Sequence, residues 1–136
     1  KQDTGLSLVE AAAAYTTVIN SKLDDPLLRT AVAKHRMDAR AFALTQSRSV
    51  EESRGGTPGA ATSMFKLYGA ELNQRRAELQ LSLRGTQGVG WSGDGHSKEE
   101  RRATRHWLNT KSFSIAGGSR EIQKNIIAKR VLELPD

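Results

Sequence analysis

Apolar residues recur along this chain at intervals of three and four. Leu8, Ala12, Tyr15 and Ile19 draw one stripe, which Val9, Ala13 and Thr16 widen. That period marks one face of a helix and predicts a first helix from about Leu6 to Lys22. Asp24-Asp25-Pro26 stops it. Proline has no N–H and a fixed φ, so Pro26 suits the first turn of a following helix with Asp25 as its N-cap. The second helix then runs from Pro26 to about Ser53, with Leu28, Val32, His35, Ala39 and Phe42 on one stripe. At about 1.5 Å per residue it is on the order of 40 Å long. Gly55-Gly56 ends it, Thr57-Pro58 repeats the start signal, and a third helix carries Ala61, Phe65, Tyr68, Leu72, Arg75, Leu79 and Leu83 to a stop near Arg84-Gly85. Long helices joined by so short a connection are expected to pack antiparallel.

The pattern then changes. Gly85, Gly88, Gly90, Gly93 and Gly95 crowd a short stretch that also holds Trp91, which predicts a loop. Ser97-Lys98-Glu99-Glu100 reads as a capping box, with Ser97 as N-cap and Glu100 at N3. A fourth helix follows through Arg101, Arg102, Arg105, His106, Trp107 and Leu108. It is basic, weakly amphipathic, and fades between Thr110 and Ser114. Gly117-Gly118-Ser119 breaks the chain and caps a last helix from Arg120 to about Leu132, with Ile122, Ile126, Ile127 and Val131 on its apolar face, and Pro135 closes it. No strand pattern competes. The expected fold is an all-α, up-and-down bundle of four to five helices, a single domain over residues 1–136.

Composition narrows the class. A chain of 136 residues is one domain, or a piece of a larger protein. A hydrophobic fraction of 37% with 26% charged residues is polar but not the profile of a disordered chain. Aromatics are only 5%, so the core must come from Leu, Ile, Val and Ala, which suits packed helices. The absence of cysteine excludes disulfide scaffolds, thiolate metal sites and Cys nucleophiles. No apolar run is long enough for a membrane span and no signal segment is visible, so a cytoplasmic location is expected.

Few residues carry chemistry. His35, His96 and His106 share no helical i, i+4 pairing and have no carboxylate at ligand spacing, so no metal site is expected. The net charge of +6 gathers partly in Arg101, Arg102, Arg105 and His106, beside Trp107. That cluster could read as a nucleic-acid face, but Glu99 and Glu100 precede it and no short recognition-helix pair is visible, so no nucleic acid is expected. A solvated face is the plainer reading, although the same charges would attract an anionic cofactor or a CoA phosphate. In Gly117-Gly118-Ser119, glycine lets backbone approach a ligand and the helix start offers free N–H groups to anions. A simple helix–helix turn also wants glycine and a Ser cap, and the residues leave both readings open. The Gly85–Gly95 loop is equally a connector or a functional loop.

The stretch from Ile115 to Pro135, IAGGSREIQKNIIAKRVLELP, closely resembles the C-terminal signature of acyl-CoA dehydrogenases, in particular a bacterial branch. The D-D-P break, the two long helices and the turn Leu83-Arg84-Gly85-Thr86-Gln87-Gly88 agree in layout. The likeness covers essentially the whole chain, as the C-terminal helical domain of a longer subunit. It implies a flavoprotein that holds FAD and oxidises an acyl-CoA between Cα and Cβ, as in fatty-acid or steroid side-chain β-oxidation. A carboxylate takes the α proton and flavin N5 takes a hydride. It further implies a homo- or hetero-tetramer built as a dimer of dimers, and an electron-transfer flavoprotein as acceptor. By position, Gly118 and Ser119 match the turn beside the cofactor, Glu121 a polar position at its adenosine end, and Gly85 and Gly88 a turn that approaches the FAD diphosphate, often of a neighbouring subunit.

The departures from that pattern are specific. Many members carry the catalytic Glu immediately before the Gly-Thr of the last turn, but the residue here is Gly117, which cannot take a proton. Others place the base on the first long helix, where Glu10 is the only carboxylate near the start. Glu10 is not expected to serve, and the base is expected upstream of Lys1, so that this chain alone should be inactive. The family's Arg-x-x-Phe-Gly flavin motif is missing, the chain reading Asn20-Ser21-Lys22-Leu23-Asp24-Asp25 there, and its turn Gln is replaced by Ser82. These losses fit a branch that forms heteromers. The alternative to an active dehydrogenase is therefore a non-catalytic scaffold subunit of a heteromeric one.

Overall fold

A computed structural model describes residues 6–52 and 61–135. Its helices are α1 (Leu6–Tyr15), α2 (Pro26–Glu52), α3 (Ala61–Arg84), α4 (Lys98–Thr110) and α5 (Arg120–Arg130), with short 3-10 turns at Gly85–Val89 and Lys111–Ser114. The expected helical bundle is present. Its axis is α3, which packs against all four other helices.

The first helix is shorter than its stripe implied. It stops at Tyr15, and the chain then forms a small antiparallel hairpin of β1 (Val18–Ile19) and β2 (Lys22–Leu23), with Val18 opposite Leu23 and Ile19 opposite Lys22. The reason lies in Thr16, Thr17, Val18 and Ile19, a β-branched run that is stiff in a helix and suits a strand. Asn20 and Ser21 take positive φ of 49° and 62°, the primed turn that a two-residue hairpin needs. Asp25 caps α2 as the sequence implied, its Oδ1 accepting from the N–H groups of Leu27 at 2.8 Å and Leu28 at 3.1 Å.

Helices α2 and α3 pack antiparallel. Asp38 pairs with Arg75, and further along α2 the Phe42 ring meets Phe65 at 5.8 Å and Tyr68 at 5.6 Å. Gly55-Gly56 and Thr57-Pro58 lie outside the described residues. The core gathers at one end of the bundle: Leu8 and Ala12 of α1, Leu23 of β2, Val32 of α2, and Leu79 and Leu83 of α3. His35 is buried, as an interior histidine.

The sequence undersold α4 and misplaced the inner face of α5. One side of α4 is sharply buried, but through polar groups, namely Glu100, Thr104 and Thr110. In α5 the stripe residues Ile122 and Val131 are exposed, Ile126 and Ile127 are half-buried, and Gln123 is the buried residue. Among the described residues no helix is long and apolar enough to cross a membrane, and no cluster of His, Cys, Asp or Glu could hold a metal ion.

Candidate functional site

The turn Gly117-Gly118-Ser119 is built by side chains from two helices. Gly117 and Gly118 have φ of 72° and 100°, a region that L side chains rarely adopt. The Gln123 side chain donates from Nε2 to the Gly117 carbonyl at 3.0 Å, and Lys66 Nζ reaches from α3 to the Gly118 carbonyl. In a planar trans peptide the N–H points opposite to the C=O. With both carbonyls drawn inward, the N–H groups of Gly118 and Ser119 face away from Gln123 and Lys66. Ser119 caps α5, its Oγ accepting from the Ile122 N–H at 3.4 Å. Arg120 is tied to Glu71 of α3 at 2.8 Å.

This helix start already attracts negative charge. The Glu121 carboxyl is held below its usual range, first by a backbone N–H and then by the Ser119 hydroxyl. Gly117, Gly118, Ser119 and Glu121 therefore form one cluster.

Gly85 and Gly88 belong to a different place. Gly85 ends α3 with φ 54° and is exposed. Gly88 is buried, and a Cβ there would stand 2.7 Å from the Leu81 carbonyl oxygen. Thr104 of α4 donates to the Gly88 carbonyl at 2.9 Å. Within this turn, Gln87 Oε1 and the preceding Arg84 Nε are buried without a hydrogen-bond partner. Ser82 bonds back to Glu78 O within its own helix at 3.0 Å. At about 1.5 Å per residue, the part of α3 between Glu71 or Lys66 and Gly85 is roughly 20–30 Å long. The two glycine turns thus stand at opposite ends of α3, and the structure does not bring them together.

The supports of both turns escaped sequence reading. Lys66 and Gln123 sit on helices without any motif, and Thr104 is one threonine among many. Glu100 was legible as part of the capping box, which the structure contains: Ser97 N donates to Glu100 Oε2 at 2.6 Å and Glu100 N to Ser97 Oγ at 3.2 Å. Its other bond, from Tyr15 OH to Oε1 at 2.9 Å, joins α1 to α4 and was not legible. Glu10, on α1, is exposed.

The Ser97 N–H and then the Tyr15 hydroxyl hold the Glu100 carboxyl below its usual range, while burial and then Glu100 push the Tyr15 hydroxyl up. A depressed folded pKa stabilises the fold above the unfolded value, and that contribution is lost as pH falls through the folded value. Urea midpoints should therefore fall on acidification below about pH 4.3, the ordinary Glu value. Glu100→Gln, which keeps an acceptor but cannot titrate, should flatten that part of the profile. An identical acid profile in the variant would remove Glu100 from the account.

Comparison with known proteins gives one family. Residues 7–132 match the family model described as acyl-CoA dehydrogenase, C-terminal domain. The chain is 37% identical over 98 residues to acyl-CoA dehydrogenase FadE34 of Mycobacterium tuberculosis, covering 71% of this chain and 12% of that protein. It is 35% identical over 112 residues to acyl-CoA dehydrogenase IpdE1 of the same organism, covering 82% of this chain and 28% of that protein. The matched part thus covers less than a third of either relative. Among solved structures, the ChsE4-ChsE5 complex from Mycobacterium tuberculosis aligns with a TM-score of 0.74 and 20% identity, over 98% of this chain and 36% of that one, which is a likeness of fold.

Proposed function

Because the chain belongs to the acyl-CoA dehydrogenase family through its C-terminal domain, we propose that it is the flavin-facing helical domain of a subunit that dehydrogenates an acyl-CoA thioester between Cα and Cβ. The observation that carries this reading is the Gly117-Gly118-Ser119 turn. Its two glycines hold left-handed backbone, its carbonyls are tied back by Gln123 and Lys66, and its N–H groups are left to face a ligand.

The residues present fit FAD. Gly117 and Gly118 hold left-handed backbone with their carbonyls tied back, the start of α5 favours negative or strongly polar groups, and Arg84 Nε at the far turn is a buried donor with no partner, of the kind a diphosphate oxygen would satisfy. FAD, when bound, supplies the hydride acceptor at flavin N5. Gly118 and Ser119 would line it and Glu121 would meet its adenosine end. Gly85 and Gly88 would approach the diphosphate of a cofactor held by a neighbouring subunit. The distance along α3 between the two turns supports that division, because one copy then contributes to two cofactor sites and association completes each of them. Gly117 has no group that can accept a proton, so the carboxylate base comes from elsewhere in the subunit. Electrons would leave to an electron-transfer flavoprotein.

The test is the flavin content of the complete protein. Absorbance of the purified assembly should show flavin in fixed ratio to subunits. A colourless, folded assembly that gains activity only with a second subunit type would replace this reading with the scaffold one.

A further inference from the structure

One face of α4 carries positive charge that no carboxylate pairs with among the described residues. Lys98, Arg102, Arg105 and Asn109 fall on one strip, with Arg101 and His106 at its margins, and together they line an open groove. From Lys98 to Arg105 the strip is about 10 Å long. The nearby carboxylates are not paired with it. Glu100 is turned inward to Ser97 and Tyr15. Glu99 flanks the strip, three residues before Arg102. Neither Glu99 nor Asp94 of the preceding loop forms an ion pair with the strip among the described residues.

The guanidinium groups are held in place. Arg101 Nη1 donates to the carbonyls of Gly93 at 2.6 Å and His96 at 2.8 Å. Arg105 Nη2 donates to the Trp91 carbonyl at 3.4 Å, and its guanidinium lies over the Trp91 ring at 5.1 Å from the centroid. Each keeps further N–H donors for an anion. Trp91 remains 54% exposed beside the groove. The loop that presents it has a specified shape, because the His96 ring fills the place where Gly90 would carry a Cβ.

An exposed aromatic ring beside preset arginines is the pairing that stacks a base and holds its phosphates. We propose that Trp91 and the α4 strip of Lys98, Arg102 and Arg105 form a binding site for a nucleoside diphosphate, the base stacking on the indole face opposite Arg105 and the diphosphate lying along the strip. The site uses none of Gly85, Gly88, Gly118, Ser119 or Glu121, so it goes beyond the flavin reading and does not depend on it.

The experiment is calorimetric titration of the complete protein at low ionic strength with ADP, adenosine and inorganic pyrophosphate, with flavin content read in the same samples. ADP should bind at least about tenfold more tightly than either part, and more weakly as salt screens the strip. Trp91→Ala should weaken ADP at least about fivefold while leaving pyrophosphate unchanged, as expected for a lost stacking contact. Arg102→Glu, at an exposed position, should weaken both at least tenfold. Comparing CoA with FAD distinguishes the sources of the same chemistry: whichever matches ADP and competes with it is the molecule whose adenosine diphosphate the site takes. ADP binding in flavin-free protein would sustain this site while the flavin reading failed. Pyrophosphate binding as tightly as ADP with no effect of Trp91→Ala would overturn the proposal, as would an oligonucleotide that outcompetes ADP in the Trp91→Ala variant.

Discussion

Gly118→Val in the intact assembly is expected to lower flavin per folded protein at least tenfold. Two separate effects act at this position. Gly118 has φ 100°, where a β-branched residue is strained at a cost of order 1–3 kcal/mol. A Cβ there would also stand 2.7 Å from Gln123 Nε2, the atom that holds the Gly117 carbonyl. The valine therefore displaces Gln123 and frees the first peptide of the turn, so the Gly118 N–H loses its aim. Each good hydrogen bond to a charged ligand lost in this way costs on the order of 1.5–3 kcal/mol, enough for a tenfold drop in affinity. Circular dichroism gives the folded fraction and flavin absorbance the occupancy. If the folded variant keeps its flavin, the turn is only a helix connection, and the cofactor-wall reading fails with it.

Much of this fold was legible because helices advertise themselves by period and cap. The stripes through Leu8 and Ala12, Val32, and Leu79 and Leu83 supplied most of the core, and Asp25, Ser97 and Ser119 cap where the sequence placed them. Failures came where period and propensity conflict. Ile19 continues the α1 stripe, yet the β-branched run beginning at Thr16 favours a strand, and the hairpin results. In α5 the isoleucines marked an apolar face, but Gln123 is drawn inward by the Gly117 carbonyl, which rotates part of that face to solvent. The glycines at both turns were legible as glycines. The groups that give them their shape, Lys66, Gln123, Thr104 and Tyr15, were not, because a hydrogen bond between residues distant in sequence leaves no local signal. The gap in sequence between Gly85 and Gly118 likewise did not reveal that α3 holds them apart.

Gly88→Ala should destabilise the chain far more than Gly85→Ala, although the two glycines share one turn. At Gly88 the added carbon meets backbone, 2.7 Å from Leu81 O and 3.2 Å from Leu81 Cα, inside the last turns of α3. A helix backbone cannot give way as a side-chain tip can, so the 3-10 turn must shift. That shift also stretches the bond from Thr104 Oγ1 to the Gly88 carbonyl. Overpacking of about 1–3 kcal/mol plus a lost hydrogen bond of about 1 kcal/mol gives a cost of roughly 2–4 kcal/mol. In thermal unfolding that is a fall on the order of 10 °C. At Gly85 a Cβ would have no neighbour within 4 Å, and only the positive φ of 54° resists it, at about 1 kcal/mol. The pair therefore separates packing from ligand binding. If this turn approaches a cofactor diphosphate, the nearly harmless Gly85→Ala should still weaken flavin retention in the intact assembly, because the Cβ would intrude between backbone and phosphate. Dialysis against flavin-free buffer, followed by absorbance, reads that loss. Retention equal to wild type would leave Gly85 as the C-terminal cap of α3 and nothing more.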